Sequence, residues 1–222
     1  MATDLTLEND GACLERQAVS DVALGALMAS LGDTEGPGAR LFGHTAVPPI
    51  VSRAGPLGAL AARRLGPAAR AVRAILFDKT ARSNWPLGWH QDRVIAVKDR
   101  IEVSGYEPWT RKGGVWHVTP PFEVLAPMLT MRLHIDDVDA DNAPLMIARG
   151  SHRLGRIAEA DLDDVVDSCG RAVCLAQRGD VWLYATPIVH ASEVAAKPHR
   201  RRVLQVDYAA ADLPGGLQWM GV

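Results

Sequence analysis

Cysteine is scarce in this sequence. Of the 222 residues only Cys13, Cys169 and Cys174 carry a thiol, which is an odd number without a Cys-x-x-Cys pair. Disulfide frameworks and thiolate zinc sites both need cysteines in pairs or at ligand spacing. The sequence therefore argues against either kind of site, and we expect the three thiols to stay reduced.

Long apolar runs and an excess of charge of one sign are also missing. No eighteen apolar residues follow one another without a charge or a Pro/Gly break, and residues 1–10 contain no basic residue of the kind that begins a secretory signal peptide. The 24 basic and 26 acidic residues give a formal net charge of −2, which creates no field that attracts nucleic acid or anionic lipid. We therefore expect a cytoplasmic protein that acts on a small molecule and binds neither nucleic acid nor a membrane.

The organisation of the chain is that of one domain. A length of 222 residues with 48% hydrophobic residues predicts a single core over residues 1–222. Helical spacing at residues 15–31 and 57–65 predicts a mostly helical cover over residues 1–70. Residues 71–208 contain short apolar or alternating segments between Gly/Pro turns, which indicates strands. This pattern predicts a mainly β barrel or sandwich with flanking helices.

Two His-x-Asp pairs provide candidate metal ligands, namely His90-Gln-Asp92 and His134-Ile-Asp136. Residues i and i+2 of a strand point to the same side, so each pair could bind one ion. Non-haem Fe(II) oxygenases bind iron with two histidines and one carboxylate and leave the other positions open. Such pairs also arise by chance, so spacing alone does not choose between them.

The context of the two pairs favours the first. A turn at residues 86–88 precedes His90, and ligands are often delivered where a strand meets a loop. His134 instead lies inside a long alternating segment. A third ligand should come from far along the chain, and His190 ends an apolar strand and turn. We therefore predict that His90, Asp92 and His190 bind the metal.

Three consecutive arginines, Arg200–Arg202, follow soon after His190. A carboxylate cosubstrate beside the iron needs a permanent cation that binds it through two hydrogen bonds, and arginine does this better than lysine. One of the three is therefore well placed to bind such a cosubstrate.

These residues resemble the successive motifs of the phytanoyl-CoA dioxygenase family. In chain order the motifs are Trp89-His-Gln-Asp92, Asp141-Asn-Ala-Pro-Leu145, Gly150-Ser-His152, His190-Ala-Ser192 and Arg201. The resemblance covers roughly residues 71–208. The sequence departs from the usual pattern at Arg149, where proline commonly precedes Gly-Ser-His, and at Ala143, where glycine commonly follows asparagine. Neither position carries a ligand.

The resemblance implies a fold and an activity. The fold is a double-stranded β-helix (a cupin-like jelly roll), with His90, Asp92 and His190 as Fe(II) ligands. Ser192 and Arg201 would hold the C5 carboxylate of 2-oxoglutarate, and strand alternation also favours Arg201 over its neighbours. The implied enzyme is a dioxygenase that consumes O2 and 2-oxoglutarate, releases succinate and CO2, and hydroxylates a small molecule. A halogenase is disfavoured because the carboxylate ligand is present.

Further residues are candidates for contact with cosubstrate or substrate. Asn84 is predicted to hydrogen-bond the cosubstrate. Arg132 contacts 2-oxoglutarate or an anionic substrate if its strand face lines a polar cavity and is not wet surface, and Lys79 enters the cavity if alternate residues of its strand face inward. The remaining candidates for substrate contact, which core packing would also explain, are Trp85, Trp89, Trp109 and Trp116. Arg200 and Arg202 are expected to be solvated surface charges.

The same ligand set leaves two other functions open. A zinc hydrolase could use these histidines and aspartate, and a non-catalytic β-barrel could bind a small molecule without turnover. Iron-dependent succinate formation separates the three possibilities. The substrate is not readable from the sequence, and we expect the segment 100–121 to decide substrate choice.

Overall fold

The framework is built from antiparallel β-strands. The structure, a computed structural model, describes residues 5–32 and 38–222. The strands are β1 Ala12–Glu15, β2 Ala39–Arg40, β3 Arg70–Lys79, β4 Leu87–His90, β5 Ile95–Val97, β6 Trp109–Lys112, β7 Val115–Val118, β8 Leu129–His134, β9 Leu145–Ala148, β10 Arg171–Cys174, β11 Val181–Ala185, β12 His190–Ser192 and β13 Arg201–Ala209. They form a six-stranded sheet in the order β1-β11-β8-β13-β3-β2, a four-stranded sheet β10-β9-β12-β4 and a three-stranded sheet β5-β7-β6. The predicted mainly β architecture is confirmed.

Short helices flank these sheets. They are α1 Leu7–Asp10, α2 Asp21–Leu31, α3 Pro48–Val51, α4 Pro56–Leu65, α5 Phe122–Leu125 and α6 Leu162–Cys169. The first predicted helix starts later than expected, because residues 12–15 form β1 and the hydroxyl of Ser20 caps α2 by accepting from the Ala23 amide. The helix α4 begins with a proline at its first turn and ends at Gly66. No helix in the described part of the chain is long and apolar enough to cross a lipid bilayer.

The six-stranded sheet has two different faces. One face packs its apolar side chains, such as Met131, Leu133 and Leu204, against α2, α3 and α4 in the main hydrophobic core. Strand alternation sends Thr130, Arg132 and His134 to the opposite face, and all three are buried. This polar face is therefore interior, which rules out the wet-surface alternative for β8.

The segment 100–121 contains a hairpin that the sequence did not reveal. Strands β6 and β7 pair with each other across a turn at Gly113–Gly114, both with positive φ, and β7 also pairs with β5. The rings of Trp109 and Trp116 meet edge to face at 6.3 Å within this third sheet. These two tryptophans are partly buried and pack against a second hydrophobic cluster, which includes Ile95, Val118 and Trp219.

Candidate metal and cosubstrate site

The four-stranded sheet brings the three predicted metal ligands together. His90 ends β4, His190 begins β12, and the two residues are direct partners in the antiparallel pairing of these strands. Their ring centroids are 4.2 Å apart. Asp92 follows two residues after His90, and the ligand atoms of all three side chains lie within 4.8 Å of one another. No other described residues form such a group of histidine, cysteine or acidic ligands.

Backbone carbonyls fix the orientation of both imidazoles. The Nδ1 of His90 is 2.8 Å from the carbonyl oxygen of Gly88, and the Nδ1 of His190 is 3.0 Å from that of Ile188. A carbonyl oxygen only accepts, so each Nδ1 carries the proton and each Nε2 presents its lone pair. Burial, with the neighbouring His90, lowers the pKa of His190 to about 4. The ring is therefore neutral at physiological pH, as metal binding requires.

Asp92 supplies the negative charge of the cluster. Burial by itself raises its pKa, but the nearby Arg73 guanidinium and the two histidines bring the pKa below its ordinary value. Arg73 Nη2 lies 3.6 Å from Asp92 Oδ2, and Gln205 Nε2 lies 3.5 Å from the same oxygen. The side chain is thus a carboxylate with one oxygen engaged by the protein.

The cluster forms part of the wall of a cavity of about 110 Å³ between the two larger sheets. Ser192 and Arg201 line this cavity, as does Arg132 from β8. Lys79 lines it together with Ile75 and Phe77, which confirms the expected inward face of β3. The three predicted metal ligands and the predicted carboxylate-binding residues thus line the same cavity.

Three cations of this cavity have no carboxylate partner among residues 5–32 and 38–222: Lys79, Arg132 and Arg201. Lys79 Nζ donates to the Trp85 carbonyl oxygen at 2.7 Å and lies 3.4 Å from the Ser192 hydroxyl. Arg132 Nη1 donates to Gln205 Oε1 at 3.0 Å, and Arg201 Nη1 donates to the Ala143 carbonyl.

The electrostatics of these cations indicate an excess of positive charge in the cavity. The Nε atoms of Arg132 and Arg201 are buried without a hydrogen-bond partner. Burial, with the charges of the two arginines, lowers the pKa of Lys79 to about 8, and burial with Arg132 lowers that of Arg201 to about 9. Buried unpaired cations are costly. A bound dianion would relieve this cost, so the cavity fits a dicarboxylate.

Other sequence-based assignments need correction. Asn84 does not line the cavity, because its side-chain amide makes two hydrogen bonds to the backbone of Ala195, at 3.0 and 2.8 Å. Arg202 is not a solvated surface charge, since it binds Asp136 through two hydrogen bonds of 2.8 and 2.6 Å. Arg200 is exposed, as expected, and it pairs with Asp78 at 2.9 Å.

The Asp136 contact explains why the second His-x-Asp pair is not a metal site. Its carboxylate is neutralised by Arg202 on the far side of the strand from the cavity, while His134 is buried with neither ring nitrogen hydrogen-bonded. Burial, with Arg132 and Arg201, lowers the pKa of His134 to about 3. The pair therefore does not converge on one point.

Comparison with known protein families shows which family this chain belongs to. The sequence pattern of the phytanoyl-CoA dioxygenase (PhyH) family matches residues 51–203, which is more than half of the chain. The chain belongs to the PhyH family. The match includes the metal cluster together with Lys79, Arg132, Ser192 and Arg201. This membership identifies the protein as a 2-oxoglutarate-dependent iron oxygenase, as the sequence predicted, and leaves its substrate open.

Solved structures share the PhyH fold. AviO1 from Streptomyces viridochromogenes Tue57 is 18% identical, with 94% of each chain covered and a TM-score of 0.65. EctD from S. alaskensis with bound Fe is 18% identical over 97% of this chain and 78% of that chain, with a TM-score of 0.67. The epimerase SnoN in complex with Fe3+, alpha ketoglutarate and nogalamycin RO is 14% identical over 95% and 88% of the chains, with a TM-score of 0.68. No curated protein matches the sequence. These likenesses confirm the predicted jelly-roll fold.

Sequence reasoning missed Arg73, Gln205 and Asp207. All three are buried or nearly so around Asp92. The alternation that directed attention to Ile75, Phe77 and Lys79 would have reached Arg73 if extended two residues towards the start of β3. Nothing in the sequence identifies Asp207 as its partner, because the two residues are 134 positions apart.

Proposed function

We propose that this protein hydroxylates a small molecule, using O2 and 2-oxoglutarate and releasing succinate and CO2, with His90, Asp92 and His190 as its Fe(II) ligands. The observation that carries this proposal is the convergence of two oriented imidazoles and one carboxylate on a cavity that is also lined by three cations without a carboxylate partner in the described chain, Lys79, Arg132 and Arg201. This donor set is the one used by non-haem iron oxygenases. Bound iron would supply the activation of O2 that is coupled to decarboxylation of 2-oxoglutarate.

The protein's own part is to bind and orient the cosubstrate. Ser192 and Arg201 hold the C5 carboxylate, and Lys79 supports them because its ammonium group lies beside the Ser192 hydroxyl. Arg132, whose guanidinium lies 5.5 Å from the centre of the Phe77 ring, supplies positive charge along the cavity wall. Together these groups match a dianion and orient it beside the metal ligands.

The alternatives explain less of the cavity. A zinc hydrolase would use the same three ligands, but it gives no role to the unpaired cations. A binding protein without turnover gives no role to two imidazoles whose Nε2 atoms face a carboxylate. Hydroxylation is the simplest outcome, because it asks only that one C–H bond of the substrate be held near the metal.

The substrate approaches past Trp85 and Leu87, which line the cavity at its mouth. Leu87 is 48% exposed, so an apolar contact surface is available there. In the described chain no residue of segment 100–121 lines the cavity. The expectation that this segment decides substrate choice is therefore not supported, and Trp85 and Leu87 take that role in the proposal.

The decisive experiment adds Fe(II) and then 2-oxoglutarate to the metal-free protein without oxygen. We expect the weak visible charge-transfer band of a chelated 2-oxo acid, followed by succinate formation when O2 is admitted. Zn(II) in place of Fe(II) serves as the control and should give neither signal. Absence of the band and of 2-oxoglutarate binding in the Fe(II) protein would contradict the proposal.

Lys79 should make cosubstrate binding sensitive to pH. The pKa of Lys79 in the free protein is lowered to about 8, and its protonated form is the one that attracts a carboxylate. Affinity for 2-oxoglutarate should therefore be steady below pH 8 and fall as the pH rises above it. In Lys79→Met the affinity should be weaker, and this step near pH 8 should be absent. Titrations of the anaerobic band between pH 6.5 and 9 measure both effects, and a step that persists in Lys79→Met would assign it to another group.

A further inference from the structure

Two side chains from different strands contact the same oxygen of Asp92. Arg73 from β3 lies 3.6 Å from Oδ2 through Nη2, and Gln205 from β13 lies 3.5 Å from it through Nε2. The other oxygen, Oδ1, has no hydrogen bond or ion pair in the described structure. It is therefore the oxygen left for a metal ion.

Arg73 is itself held in place by a chain of buried polar groups. Its Nε donates to Asp207 Oδ2 at 2.5 Å, and Asp207 Oδ1 accepts from the Thr130 hydroxyl at 3.0 Å. The Thr130 hydroxyl also meets that of Thr186 at 2.9 Å. Buried networks in which every member is bonded fix one arrangement of their side chains. This network therefore fixes the position of the Arg73 guanidinium, which contacts Asp92.

The Gln205 amide has only one workable orientation. Its Oε1 accepts from Arg132 Nη1 at 3.0 Å and lies 3.4 Å from the Tyr184 hydroxyl. Arginine only donates, so the oxygen of the amide faces Arg132 and the NH2 group faces Asp92. A donor, and not an acceptor, is therefore presented to the carboxylate.

We propose that Arg73 and Gln205 are positioning residues that restrict Asp92 to binding the metal through a single oxygen. The inference rests on the proposed function, because it concerns the same metal ligand. A carboxylate that used both oxygens would occupy one of the three positions that cosubstrate and O2 need. By engaging Oδ2, the two side chains keep that position open. Partners behind the ligands commonly set ligand geometry in this way.

Mn(II) provides a direct test, because it accepts the same ligands and relaxes the protons of each water bound to it. The variants are Gln205→Met, which removes one of the two contacts to Asp92 without changing charge, and the double variant Arg73→Met/Asp207→Asn, which removes both members of the buried ion pair together. Arg70→Met is the matched control on the same strand, since Arg70 pairs with the exposed Asp212 outside the cluster. Circular dichroism and thermal unfolding establish that each variant is folded.

We expect the water relaxation enhancement at saturating Mn(II) to fall by about one third in both variants, as three open positions become two. The dissociation constant for Mn(II) should also rise about 10- to 100-fold, while Arg70→Met matches the wild type in both. A relaxation enhancement that stays at the wild-type level in folded Gln205→Met overturns the inference, whatever happens to affinity. If instead wild-type protein binds no Mn(II), or if Asp92→Ala binds it equally well, the metal assignment itself fails and the inference fails with it.

Discussion

Asp92→Ala should abolish the charge-transfer band of the Fe(II) and 2-oxoglutarate complex. Succinate formation should fall by more than about 100-fold, because removal of a ligand exceeds the 10- to 100-fold cost of losing a partner behind it. The carboxylate is the one anionic ligand of the cluster, and without it the metal would meet two imidazoles and the Arg73 guanidinium. Anaerobic absorption spectroscopy and succinate assays of the same samples measure both effects.

Asp136→Ala is the matched control for that loss, since it removes the aspartate of the other His-x-Asp pair. Asp136 pairs with Arg202 away from the cavity, so this variant should keep the band and the activity. It should lose some stability because Arg202 is left without its carboxylate. The reverse pattern, with the band lost in Asp136→Ala and kept in Asp92→Ala, would assign the metal site to His134 and Asp136 instead.

Arg201→Met should weaken 2-oxoglutarate binding by about 2–5 kcal/mol, or roughly 30- to 5,000-fold, which is the cost of truncating one partner of a buried charge pair. Arg201 is buried, and its Nε is without a partner until the cosubstrate arrives. Metal binding should remain near the wild-type level, because Arg201 is not among the metal ligands. Titration of the anaerobic band with 2-oxoglutarate measures cosubstrate affinity, and a separate Mn(II) titration measures metal affinity.

The neighbouring arginine provides the control for this second prediction. Arg202 is on the opposite face of β13 and binds Asp136, so Arg202→Met should leave cosubstrate affinity within about two-fold, as for a substitution outside the site. Arg201→Lys should restore only part of the affinity, because lysine is a point charge without the two-pronged geometry of a guanidinium. Equal affinities in Arg201→Met and Arg202→Met would remove Arg201 from the cosubstrate site.

The parts of the site that the sequence predicted are those encoded locally. The spacing of His90 and Asp92 and the alternation around Arg132 both follow from the two-residue repeat of a strand. The position of His190 after an apolar segment made it a candidate ligand, and the family resemblance grouped it with His90 and Asp92. The mainly β fold could also be predicted locally, because short apolar or alternating segments between Gly/Pro turns indicate strands.

The parts that the sequence did not predict depend on register between distant strands. Arg73 meets Asp207 because β3 and β13 pair in the six-stranded sheet, and no local pattern reveals that pairing. The sequence could not tell whether the polar face of β8 is buried or exposed to solvent, because both cases give the same alternation of polar and apolar residues. The β6–β7 hairpin was obscured by its tryptophans and charges, which fit an irregular loop as well as a strand.

The strand order of the six-stranded sheet has a consequence for how the molecule is assembled. β13 is the last strand of this sequence, yet it lies between β8 and β3 near the middle of the sheet. Until it is synthesised, β3 and β8 belong to two separate half-sheets, and pairings this distant along the chain form slowly. Arg73 belongs to one half, Thr130 to the other, and Gln205 to the strand that joins them. In a nascent chain Asp92 therefore gains its contacts with Arg73 and Gln205 only after β13 has joined the sheet, so iron loading should follow completion of the sheet and not guide it.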